Sequence, residues 1–514
     1  MRTWGLPILG AVVIWTLCQC SGASGGASGA DAGLSGGPSG GVSYPIVDAG
    51  TLDAGGDAGV GDGGGQDAGP ADGGADAGAG VVHPVVLGDP LPSSGWTFYG
   101  AGQGLSPTIT DVSPDEGGNV YVAGGDAVYV KSRNAGSFAR FDQSAGLTTN
   151  CDDAGTELCP VISVTGGDPG RAFIGFQGIG TDDDSDPLWM QESGGADAIS
   201  WDGSTVRRVR HVLIASPPGV IAETAYTWAN GRRKGRQLFR VVFNHLAGPH
   251  HGDVWMGGTH VGFSVLFANP ASEGWVEYPA SDWANFPQEM APAQGVWEHD
   301  HPAVEDSAGN IKTGDYYGIA IDPVTGDPWA ANEYRAASKQ GFGASTVSTG
   351  WEPLWPPYDP TDQLKSYLDV WPDRLAANGW DDIDNPAWKD NTEALAFCAD
   401  GTLWIGSSTL GLARRSPAGV IDYFQLPAGM NEDVYALACD PSDSSIWVGS
   451  GWSGIARLHP DGSWSLLPGG LGPDFLQQPV RSIQIDSWAS PRIVYFAHMG
   501  DPSAPGGVSA YGGP

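Results

Sequence analysis

The chain has 514 residues, 59 acidic against 24 basic, for a formal net charge of −35. So large an acidic excess repels phosphate backbones and anionic lipid, which excludes nucleic-acid binding and an electrostatic hold on a membrane. Aromatic residues make up 10% of the chain and turn formers are abundant, a composition that suits one large folded domain.

In chain order, residues 1–20 read as an export signal. Arg2 supplies a positive start, and the apolar run Leu6 to Leu17 is too short to span a bilayer. The run ends Leu17-Cys18-Gln19-Cys20-Ser21-Gly. This resembles a bacterial lipoprotein signal, and the resemblance implies lipidation at Cys20. Ser21 then implies an outer-membrane destination and a cell-envelope location, with membrane contact through the lipid anchor alone. Gln19 departs from the small residue usual at its position, Cys18 leaves the choice of cysteine open, and an ordinary cleaved signal is the alternative.

Residues 21–90 form a Gly/Ala/Asp-rich tether. Its stretch 21–80 holds 22 Gly and eight Asp, lacks Lys, Arg and Glu, and repeats Asp-Ala-Gly, as at 48, 53, 57, 67 and 76. Such a segment buries too little apolar surface to offset its ordering entropy, so it is expected to be disordered and extended. Similar tethers follow the lipidated cysteine in myxobacterial lipoproteins.

From 91 to 514 the pattern changes to short alternating runs closed by Gly, Asp and Pro, which predict strands. Two phrases give a ruler: Asp400-Gly-Thr-Leu-Trp404-Ile-Gly-Ser-Ser-Thr-Leu-Gly411-Leu-Ala-Arg414, and Ser445-Ile-Trp447-Val-Gly-Ser-Gly-Trp-Ser-Gly454-Ile-Ala-Arg457. Their tryptophans lie 43 residues apart, the length of a four-stranded unit that cannot bury its faces alone. Each unit reads as strands A (innermost), B, C and D (outermost). Blade 1 is predicted at Ile109–Val112, Asn119–Ala123, Ala127–Lys131 and Phe138–Asp142. Blade 2 takes Val161–Val164, Arg171–Phe176, Ala196–Trp201 and Val206–Leu213. Blade 3 takes Phe239–Asn244, Asp253–Gly258, Gly262–Phe267 and Trp275–Tyr278. Blade 4 takes Tyr317–Ile321 and Pro328–Asn332, with Trp351–Leu354 outermost. Blade 5 takes Ala394–Cys398, Leu403–Ser407, Gly411–Arg415 and Val420–Gln425. Blade 6 takes Val434–Cys439, Ile446–Ser450, Gly454–Leu458 and Ser463–Leu467. Blade 7 takes Val480–Ile485, Arg492–Ala497 and Gly507–Tyr511, and its D strand is supplied by Trp96–Tyr99, which matches the Trp464 phrase. The expected fold is an all-β, single seven-bladed β-propeller closed by that N-terminal strand, with six blades as the competitor.

The phrase Asp-x-x-Gly-x-Leu-Trp-Ile-Gly, continued by Gly-Leu-x-Arg, resembles the two-component regulator propeller repeat, well in blades 5 and 6 and partly at Asp253-Val-Trp-Met-Gly-Gly. No kinase portion accompanies it, so that family's signalling role is not implied. A weaker likeness, in shape alone, is to streptogramin lyase propellers, whose site uses His, Glu and magnesium.

In a propeller the D–A and B–C connections share one face, around the channel mouth. His260, Glu298, His299, Asp300, His301, Asn332, Glu333, Tyr334 and His498 fall there on the ruler, while His245, His250 and His251 fall in an A–B connection on the opposite face. His299 and His301 point the same way from an extended segment. With His260 they would make a three-histidine site for a divalent metal with an open position, able to activate water. Glu298, Glu333 and Tyr334 are the accompanying acid–base candidates. The plainer alternative is chance loop histidines and turn-capping acids. Trp228, Trp297 and Trp452, with His498, are candidate ligand contacts on that face. The acidic run 181–186 and the basic run 232–236 read as solvated turns. Cys151 and Cys159 bracket a polar loop and are expected to form a disulfide, whereas Cys398 and Cys439 are expected to be buried thiols.

The function expected is therefore an exported lipoprotein with a monomeric head that binds a small-molecule, glycan or protein ligand at the channel face. The alternative is a metal-assisted lyase or hydrolase built on the histidines.

Overall fold

The computed structural model describes residues 81–512 apart from 146, 148–159, 178–194, 213–237, 249, 259–262, 267–295, 300–303, 306–310, 313–315, 327, 333–334, 342–351, 354–391, 408–410, 431–432 and 452–453. None of the described helices is long and apolar enough to cross a membrane.

The chain begins with β1 (Val82–His83), β2 (Val86–Leu87) and β3 (Trp96–Tyr99). A four-stranded meander follows, β4 (Asp111–Pro114), β5 (Val120–Gly124), β6 (Ala127–Lys131) and β7 (Ala139–Phe141). The next sheet holds β8 (Val161–Gly166), β9 (Arg171–Phe176), β10 (Gly195–Trp201) and β11 (Val206–Val212). After it come β12 (Leu238–Phe243), β13 (Val254–Gly258), β14 (Phe263–Leu266) and β15 (Val296–His299). A small hairpin, β16 (Val304–Glu305) and β17 (Ile311–Lys312), precedes β18 (Tyr316–Ile321), β19 (Pro328–Asn332), β20 (Arg335–Gly341) and β21 (Glu352–Pro353). Two further sheets run β22 (Thr392–Phe397), β23 (Leu403–Ser407), β24 (Gly411–Arg415), β25 (Ile421–Phe424), then β26 (Val434–Cys439), β27 (Ile446–Ser450), β28 (Ile455–Leu458), β29 (Ser463–Leu466). The last strands are β30 (Val480–Asp486), β31 (Ile493–His498) and β32 (Gly507–Tyr511), and β3 pairs antiparallel with β32, Trp96 opposite Tyr511. The sheets are radial blades, because the innermost strand of each lies against the innermost strand of the next, β30 against β4 included. The fold is a β-propeller.

The repeated phrase has a physical basis. Trp404 and Arg414 face each other across β23 and β24, as Trp447 and Arg457 do across β27 and β28. The guanidinium carbons lie 5.6 Å and 4.9 Å from the buried indole rings they cover, a cation–π pair in each blade. The glycine after each Trp-Ile or Trp-Val is required by a close approach. A Cβ on Gly406 or Gly449 would stand 2.6 Å or 2.7 Å from Val434 or Val480 on the next inner strand. Gly411 and Gly454 hold φ of 84° and 73°, open to glycine at little cost.

Three expectations are corrected. The outer strand of the third blade is β15, not Trp275–Tyr278, which lies outside the described residues. Both segments open on two apolar residues followed by a glutamate, Trp-Val-Glu-Tyr and Val-Trp-Glu-His, so the local pattern cannot choose between them. The chain also joins the propeller ten residues before the predicted tether boundary at 91. β1 and β2 add parallel to the outer strands β25 and β29, His83 stacks on Phe424 at 4.4 Å, and Leu91 is buried. An exposed strand edge captures any extended apolar segment that reaches it. Finally, Cys398 and Cys439 form a disulfide, with Cα atoms 5.2 Å apart. Matching positions in adjacent blades are distant at the rim but close at the inner strands, where the wedges converge.

Candidate functional site

The first residues of the inner strands stand at the end of the propeller where the D–A and B–C connections run. Six inner strands carry an irregularity in pairing there, which leaves Ile162, Phe239, Tyr317, Glu393, Tyr435 and Arg481 out of the ladder. A bulge re-aims its side chain out of the ordinary pleat. Phe239 and Tyr317 pack with ring centroids 5.1 Å apart, and the Arg481 guanidinium lies 5.6 Å above the Tyr435 ring and 3.1 Å from the Glu393 carboxylate. Deeper, Arg240 Nη1 stands 3.1 Å from Asp111 Oδ1, while its Nη2 donates to the Arg481 carbonyl at 3.4 Å.

These pairs join blades that are not neighbours: Asp111 on β4 meets Arg240 on β12, and Glu393 on β22 meets Arg481 on β30. Such side chains can meet only on the propeller axis. Asp111 and Glu393 are buried, at 1% and 5% exposure, so each needs its guanidinium to offset lost hydration. Asp111 also accepts from Ser163 Oγ at 2.8 Å and the Val164 amide at 3.0 Å. The result is a rigid floor across the axis, aromatic on two sides and ionic through the middle.

Of the predicted site residues, only Trp297, Glu298, His299 and His498 are among the described residues, and none of the four belongs to this floor. His260, His301, Glu333, Tyr334, Trp228, Trp452, Cys151, Cys159 and Cys20 lie outside the described residues, so the three-histidine metal set stands as an expectation. Trp297, Glu298 and His299 belong to β15, paired with Val265, Ser264 and Phe263, which places them on an outer strand rather than in a channel-face connection. His498 sits at the end of β31, where the ruler put it, but it is fully buried. Its Nε2 lies 2.8 Å from Ser509 Oγ, the Phe475 ring packs 5.3 Å away, and burial pushes the imidazole down to about 3. It is a neutral core histidine rather than a ligand contact.

The opposite, A–B end of the axis holds a second polar cluster. Glu116 lies between β4 and β5, Asp168 between β8 and β9, and His245, His250 and His251 between β12 and β13. His245 Nδ1 is 3.0 Å from Glu116 Oε1, His251 Nε2 is 3.1 Å from Asp168 Oδ1, and His250 Nδ1 is 3.0 Å from the buried Asp253. Burial lowers the His245 pKa against the raising pull of Glu116, and Trp488 packs 5.0 Å from its ring. The sequence offered little signal for Glu116 and Asp168. Asp115-Glu116-Gly117-Gly118 and Gly167-Asp168-Pro169-Gly170 read as ordinary turn chemistry.

No family model and no curated protein matches the sequence. Solved structures resemble the chain in fold at low identity. The extracellular domain of a hybrid two-component system from B. thetaiotaomicron is 13% identical with a TM-score of 0.43, covering 82% of this chain and 42% of that one. Virginiamycin B lyase from Staphylococcus aureus is 11% identical with a TM-score of 0.44, covering 81% and 97%. The WD40 repeats of RRP9 are 10% identical with a TM-score of 0.45, covering 83% and 99%. These are β-propellers, and the likeness is one of fold alone.

Proposed function

We propose that the protein is an exported, outer-membrane lipoprotein whose propeller binds a glycan, small-molecule or protein ligand at the D–A/B–C end of the axis. Cys20 carries the lipid, residues 21–80 are the tether, and the head works as a monomer. The head is a closed, seven-bladed propeller with β3 completing the last blade. The pairing of β3 with β32 and the packing of β30 against β4 support that count. The observation that carries the binding role is the bulged floor. It sets Phe239, Tyr317 and Tyr435 beside a Glu393–Arg481 pair, the mix of flat apolar faces and directed charge that ligand sites use.

The test is to probe glycan and peptide arrays with the purified chain, then measure any hit against the Glu393→Gln/Arg481→Met double variant. Replacing both partners avoids leaving one buried charge alone, so the variant should fold, as its thermal unfolding will report. The hit should weaken at least tenfold. Equal binding by the folded variant, or no hit on either array, would overturn the proposal.

A further inference from the structure

We infer that Glu116, Asp168 and His251 form a divalent-cation site with mixed oxygen and nitrogen donors at the A–B end of the axis, opposite the ligand floor. One ligand atom from each residue lies within 4.8 Å of the others. The three come from connections in three consecutive blades, so they converge through the fold rather than through neighbouring sequence.

The scaffold beneath them is fixed. The Glu116 amide donates to the Gly167 carbonyl at 3.0 Å, and the Gly170 amide donates to the Asp115 carboxylate at 2.7 Å, locking the first two connections together. Under the third, Phe243 stacks on Phe173 at 5.9 Å and meets the His251 ring edge-on at 5.6 Å. A Cβ on Gly167 would come 3.0 Å from the Phe243 ring, so glycine lets the second connection lie down on that platform.

Metal–ligand bonds of about 2.0–2.2 Å put neighbouring ligand atoms roughly 3.5 Å apart, a contraction that side-chain rotation at half-exposed positions supplies. His245, 3.0 Å from Glu116, fills the place of an outer partner that orients a ligating carboxylate. The side chains of Asp168 and His251 are 40% and 36% exposed, which leaves the remaining coordination positions open to water. An imidazole with two carboxylates favours zinc or manganese over calcium. The acidic excess of the chain raises cation concentration at its surface whatever the ion.

The experiment is calorimetric titration of the metal-stripped full chain with zinc chloride, then with manganese chloride. Wild type should take up one equivalent of at least one ion. Asp168→Asn/His251→Gln should weaken that uptake at least thirtyfold, while Asp461→Asn, at an exposed turn between β28 and β29, leaves it unchanged. Both altered side chains are over a third exposed, so metal-free thermal unfolding should match wild type. No uptake of either ion by wild type, or wild-type affinity in the folded Asp168→Asn/His251→Gln variant, would overturn the assignment.

Discussion

The two ends of the propeller axis solve different problems with the same strands. At the D–A/B–C end, bulged residues of the inner strands meet across the axis, and their identities change from blade to blade. At the A–B end, each described joint holds one blade to another. Asp115 accepts from the Gly170 amide, Cys398 bonds Cys439, Asp440 pairs with Arg492, and Asp486 pairs with Arg133 at 2.8 Å. The contrast teaches where each role sits. Residue variety accumulates where a ligand would be read, while the other end repeats one task by differing chemistry.

The sharpest test of the stapled end is Asp440. It is fully buried, accepts from Arg457 and Trp447 as well as Arg492, and lies at the joint between the β26 and β30 blades. Burial alone would raise its pKa, but Arg492 and Ser442 hold the carboxyl below its ordinary value. Asp440→Asn keeps the shape and removes the charge, leaving Arg492 without its carboxylate in a poorly hydrated joint, while Arg457 keeps Asp443 at 2.8 Å. The expected cost is about 3–5 kcal/mol in denaturant unfolding. A loss under about 1 kcal/mol would mean the joint is held by packing alone.

The disulfide should come next. Cys398 and Cys439 close a loop of sequence separation 41, and removing such a link typically costs about 2–4 kcal/mol. Cys398→Ala/Cys439→Ala should therefore unfold at lower denaturant than wild type, and a reducing agent should lower wild type to match. If reduction leaves the wild-type midpoint unmoved, the pair contributes nothing to stability.

How much of this the sequence disclosed depended on what each feature repeats. The Trp404 and Trp447 phrases expose the blade unit because their cation–π pairs and close glycines impose the same residues at the same offsets. Trp96–Tyr99 was legible as the partner of β32 because it repeats the Trp464 phrase. The bulged floor was not legible, since a bulge constrains backbone geometry and leaves Glu393, Tyr435 and Arg481 free to differ. Glu116, Asp168 and His251 stayed hidden because turn composition masks any second role, and because their meeting depends on how three blades pack. The cysteines were misjudged for a related reason: spacing in sequence says nothing about radius from the axis, and radius decides the distance.

The smallest effect tests the D–A/B–C end through His498. Its folded pKa, about 3, lies below the ordinary histidine value of about 6.5 because the ring is buried beside Phe475 and Ser509. The sign follows from proton counting. Between those two values the unfolded chain binds a proton that the native ring refuses, so stability is complete above pH 6.5 and falls as pH drops towards 3. Between pH 7 and pH 5 this one group should remove about 2 kcal/mol. His498→Gln keeps a polar partner for Ser509 but cannot titrate, so its stability should fall less over that interval by the same amount. Denaturant unfolding of both proteins at pH 7 and pH 5 decides the matter. An equal loss in the two would mean that His498 takes up its proton in the native state, and that this end of β31 is open to water rather than sealed beside Phe475.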